Sequence, residues 1–152
     1  MKQPRWTPKH SVVLSLAVTY LGAAALLVMM FALPAYMRWY FVGYRVAPRV
    51  FDPTLAVFYA CCPAGWAAIA ALLRLLRNMR AERVFVPQNI KLLRLLSWCC
   101  VYVSVASFVA AWWYIPFALF FAAAGVLAIL LRVIKNVMAA ATRLREENDL
   151  TI

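Results

Sequence analysis

The chain has 152 residues, 67% of them apolar and only 14% charged, with a mean hydropathy of +0.82; soluble domains carry about 25% charged residues. A water-soluble protein this small has no interior large enough to hide that much apolar surface, yet sixteen Lys and Arg against five Asp and Glu leave a net charge of +11. These values exclude a soluble enzyme, a disordered tail and a disulfide-stapled secreted module, and point to a membrane protein with its cations in cytoplasmic segments.

The first charge-free run, residues 10–37, predicts a helix over about 12–36, since roughly 20 apolar residues cross a bilayer core. It exceeds the roughly 7–15 residues of a signal-peptide core, so it is read as a retained span, with Pro34 near its end and Ala23-Ala24-Ala25 allowing close helix packing. Asp52-Pro53 opens a second helix over about 54–78: the carboxylate accepts from an exposed backbone N–H and Pro fits the first turn. Pro63, inside it, predicts a bend. Pro87 opens a third helix over about 90–113 in the same way. The third charge-free run, 95–131, is too long for one crossing and sufficient for two. Its middle, Trp112-Trp113-Tyr114-Ile115-Pro116, combines boundary-seeking aromatics with a helix-starting Pro and predicts a tight turn. A fourth helix follows over about 116–142, the second and fourth helices running past the lipid, and 143–152 form a tail. The prediction is one all-α domain, an integral membrane protein of four transmembrane helices in two helical hairpins.

Charge sets the orientation. Lys2, Arg5 and Lys9, the middle loop with Arg74, Arg77, Arg80, Arg83, Lys91 and Arg94, and the C-terminal Arg132, Lys135, Arg143 and Arg145 share one side; Arg38, Arg45 and Arg49 take the other. Thirteen cations against three predict cytoplasmic termini and middle loop, N-in/C-in. Topology thus accounts for most of the charge, and direct binding of nucleic acid is not inferred.

Little chemistry is offered. No Asp or Glu lies within a predicted span, although intramembrane acids are the usual carriers of proton coupling. A small proton-coupled multidrug exporter of similar size depends on a Glu in its first helix, where this chain has Ser15, Thr19 and Tyr20 but no acid. The single His, His10, is read as interfacial, and no cofactor is expected. Cys61-Cys62 and Cys99-Cys100 are read as packing residues. Cys62 lies about 18 Å of helix from Arg74 and Cys99 about 8 Å from Arg94, and a disulfide needs Cα atoms within roughly 7 Å.

Leu72–Arg80 and Ile90–Leu96 repeat apolar and basic residues at helical spacing. They read either as helices lying at the boundary with Leu and Ile in lipid, or as a docking surface for an acidic cytoplasmic partner. The tail Arg143–Ile152 holds three of the five acids and reads as a solvated helix end followed by a short free segment. Arg77, Arg80, Arg83, Asn89 and Lys91 with Glu146, Glu147 and Asp149 are the candidate docking residues. Clustering the acids opposite the basic loop offsets its self-repulsion.

Phe85-Val86-Pro87-Gln88-Asn89-Ile90-Lys91-Leu92-Leu93-Arg94 and the closing Leu144–Ile152 resemble the bacterial membrane-protein family catalogued as domain of unknown function 2975. The resemblance implies four membrane helices, a Phe-x-Pro-x-Asn-type turn before the third, and an acidic ending closed by Asp-Leu-Thr and an aliphatic residue. Gln88 stands where that pattern implies Glu. Family genes beside small helix-turn-helix regulators imply a membrane partner for a transcription regulator. The leading expectation is a non-enzymatic multi-pass protein of a bacterial inner membrane, in contact with the lipid bilayer, whose cytoplasmic face binds or regulates a soluble partner. The alternative is a small transporter or channel-like subunit, and a homo-oligomer stays open.

Overall fold

The computed structural model describes residues 8–44, 51–81 and 86–149. They form four helices, α1 (Pro8–Tyr44), α2 (Phe51–Arg80), α3 (Pro87–Ala111) and α4 (Phe117–Asp149), and no strand among the described residues. Each helix is long and apolar enough to cross a membrane. The predicted all-α class and helix count hold.

The helices outrun most of the predicted limits. A cation ends the stretch that lipid accepts, but Arg and Lys are good helix formers and the backbone continues through them. α1 therefore runs past Arg38, leaving Pro34 well inside the helix rather than at its end. α4 continues through the tail to Asp149, where a free segment was expected. α3 is the exception, ending at Ala111, because Trp112 and Trp113 belong to the predicted turn. There the N–H groups of Trp113 and Tyr114 both donate to the Ala110 carbonyl, and those of Phe117 and Ala118 to Tyr114 and Ile115.

The helices pack as a row: α1 on α2, α2 on α3, and α3 on α4 most extensively. Each seam uses different chemistry. Pro34 lacks the N–H that would satisfy the Met30 carbonyl one turn back; the Tyr59 hydroxyl of α2 donates to that carbonyl at 2.7 Å instead. In hydrocarbon, an unpaired carbonyl has no water to turn to. Pro63 weakens α2 in the same way, and Tyr102 of α3 donates to the nearby Ala60 carbonyl at 3.2 Å. Between α3 and α4, Ser97 donates to the Ala128 carbonyl and Ser104 to that of Phe121, both at 3.0 Å. Seven residues separate each member of the two pairs, so the helices run antiparallel in fixed register. Gly125 faces Ser104 in this seam, where small residues let backbones approach.

Ala71, Leu75, Leu93 and Leu96 form a buried cluster between α2 and α3, with Leu131 and Met138 of α4 against it. This corrects the reading of Leu72–Arg80 and Ile90–Leu96 as helices lying flat with their leucines in lipid. Both segments continue their spans, and these leucines face one another. Near water each fully buried Leu contributes about 1.5–3 kcal/mol, whereas deep in lipid the apolar effect between helices vanishes. The apolar core thus sits at the basic end, where it has most effect.

Candidate functional site

The basic end is built from the last turns of α2, the first turns of α3 and the C-terminal half of α4. Its centre is a pair of amides. Asn78 Nδ2 donates to Asn89 Oδ1 at 2.8 Å, and Asn89 is 0% exposed. The backbone N–H of Asn89 also donates to the Val86 carbonyl at 2.9 Å, pinning the entry to α3. Every buried side-chain N or O among the described residues has a partner, as a polar network in a low-dielectric setting requires.

The candidate docking residues divide. Asn89 is fully buried and holds α3 against α2 through Asn78. Arg77 and Arg80 lie on the last turn of α2 rather than in a loop. Arg77 Nη2 donates to the Tyr20 hydroxyl of α1 at 3.0 Å, which ties its head toward the neighbouring helix. Arg80, Lys91 and Glu147 are exposed. Glu146 and Asp149 belong to the last turns of α4, their side chains outside the described ones. Arg83 lies outside the described residues, as do Phe85, Leu150 and Ile152.

Two basic grooves flank the start of α3. The α2–α3 groove holds a cavity of about 390 Å³ lined by Arg74, Asn78, Gln88, Lys91 and Leu92. The α3–α4 groove holds one of about 120 Å³ lined by Arg94, Ser97, Trp98, Arg132 and Lys135. In the second, the Arg132 guanidinium lies 5.6 Å from the centre of the Trp98 ring, within cation–π range. Sequence reasoning did not assemble this groove, although the signal was present. Arg94 and Arg132 bound the charge-free run 95–131 and stand equally far from Trp113, so folding at that turn brings them together.

All four cysteines are free, Cys62 and Cys99 buried. Measured along the helices from the Asn78–Asn89 contact, Cys62 is about 24 Å away and Cys99 about 15 Å, in keeping with packing roles at different heights. Among the described residues no three His, Cys, Asp or Glu side chains group to hold a metal ion.

A family model described as Protein of unknown function (DUF2975) matches residues 3–152. No match was found among curated proteins or among solved structures.

Proposed function

The chain belongs to the family described as Protein of unknown function (DUF2975), and from that premise we propose a non-enzymatic multi-pass protein of a bacterial inner membrane whose basic end faces the cytoplasm and docks a soluble protein. The observation that carries this reading is the length of α4. Its charge-free run ends at Leu131, yet the helix continues to Asp149, about 27 Å further at 1.5 Å per residue. A helix needed only to cross lipid has no use for the far part of that extension, which carries Arg143 and Arg145 before its acidic close. The exposed Arg80 and Lys91 lie toward the same end of the row.

The partner chemistry follows from charge. The end is cationic and α4 closes on Glu146, Glu147 and Asp149 in sequence, so it suits a soluble protein with an acidic face and a basic border. A helix-turn-helix transcription regulator is the candidate that the family resemblance supplies. Exposed ion pairs contribute only about 0–1 kcal/mol each, so they set orientation and capture rate more than affinity.

Affinity capture of the full-length protein in mild detergent, compared with a chain lacking residues 146–152, tests the reading. Truncation should leave membrane insertion intact and lower recovery of the partner. Capture of the same partner with unchanged affinity would refute the role of the tail. Orientation is checked separately by impermeant thiol labelling of single cysteines in a cysteine-free chain. A cysteine at position 114 should label from outside, and one at position 83 should not.

A further inference from the structure

We propose that the α3–α4 groove binds the phosphate of an anionic phospholipid. Arg94, Arg132 and Lys135 line one small cavity with Ser97 and Trp98, and three cations so close repel one another unless an anion joins them. Neither Arg94 nor Lys135 has an acidic partner among the described residues. Glu147, the one acid of α4 whose side chain is described, lies twelve residues beyond Lys135, about 18 Å along the helix. The Ser97 hydroxyl donates its proton to the Ala128 carbonyl, so the donors left for a ligand are the two guanidinium groups and the ammonium. The Arg132 guanidinium is exposed and lies 5.6 Å from the centre of the Trp98 ring, so its N–H donors stay accessible to a phosphate oxygen.

Height identifies the anion as a lipid headgroup. Arg94 and Arg132 are the charges at the two ends of the run 95–131, so they sit where acyl chains give way to headgroups. Trp98 is exposed on the membrane side of them, a position its amphipathic ring favours at that boundary. Basic pockets between membrane helices on the cytoplasmic side suit anionic headgroups. This site is separate from the projecting ends that carry the docking reading, and either can fail without the other.

The test is native mass spectrometry of the full-length protein in uncharged detergent, titrated with phosphatidylglycerol, phosphatidylcholine or inorganic phosphate. One saturable phosphatidylglycerol adduct, tighter than the phosphatidylcholine adduct, is expected. Arg94→Gln and Arg132→Gln should each weaken it about fivefold, while Arg38→Gln, which removes the same charge from the opposite end, should leave it unchanged. Arg94→Lys and Arg132→Lys keep the charge and should retain most of the binding, separating lost recognition from lost folding. Unchanged binding in the Gln variants, equal loss in the Gln and Lys variants, or equal loss with Arg38→Gln would overturn the proposal. Displacement of the lipid by an equal concentration of inorganic phosphate would overturn the lipid assignment.

Discussion

The α3–α4 and α1–α2 seams solve the same problem with opposite means. In α3–α4 the backbones come close. Ser97 and Ser104 reach the facing carbonyls directly, and Ser107, Ala110 and Ala128 are buried beside them. In α1–α2, long side chains span the gap: Tyr59 reaches the Met30 carbonyl, Trp66 Nε1 the Met30 sulfur at 3.4 Å, and Arg77 the Tyr20 hydroxyl. A close seam fixes register through small residues and tolerates little bulk beyond a methyl group. A spanned seam depends on a few terminal atoms and tolerates bulk better. The helix pair that is hardest to overfill should therefore be α1–α2.

Bulk gives the largest test of this contrast. Gly125→Leu should destabilise the α3–α4 hairpin by about 1–3 kcal/mol, the usual cost of overpacking, read as loss of resistance to SDS-induced unfolding. A Cβ at Gly125 meets Ser104 Oγ at 3.4 Å, ordinary contact, whereas at Gly65 it meets the flexible end of Leu26 at 3.2 Å. Gly125→Ala and Gly65→Ala should thus both be mild, and Gly65→Leu less harmful than Gly125→Leu.

The amide pair that joins the two halves ranks next. Asn78→Ala should cost about 1–3 kcal/mol, because the fully buried Asn89 side chain loses that donor, and Asn89→Ala should show strong coupling to it in a double-mutant cycle. Additive effects would mean that the bond contributes nothing.

Ser97→Ala and Ser104→Ala should each cost about 0.6 kcal/mol, a typical interhelical hydrogen bond in a membrane. Tyr59→Phe should cost a similar amount, and its effect should appear in the α1–α2 pair alone, measured as increased crosslinking freedom of α1.

The spans were legible because lipid imposes length and refuses charge, so charge-free runs located all four helices. The 112–116 turn was legible because Trp, Tyr and Pro each have a positional preference at a boundary. Helix ends were not, since Arg38 or Arg132 stops the apolar run without stopping the helix. Asn89 was misread as a surface residue for a related reason. Its neighbours Gln88 and Lys91 are polar, and a polar run next to a span gives no hint of which member faces a partner helix. The face of each span was equally hidden, because a helix apolar all round does not mark the side that meets protein. The Arg94–Trp98–Arg132 grouping needed only the turn position plus a count outward on both sides.

Pro34 and Tyr59 have an evolutionary consequence. A substitution that restores an N–H at position 34 lets α1 satisfy the Met30 carbonyl by itself, and the hydroxyl at position 59 then becomes dispensable. Tyr59→Phe should cost less in a Pro34→Ala background than in the native chain. Among related sequences, the two positions should drift as a pair, with proline kept where the tyrosine is kept. Inheritance at one site would then be conditioned by a residue on the next helix, although the two side chains share nothing but one backbone carbonyl.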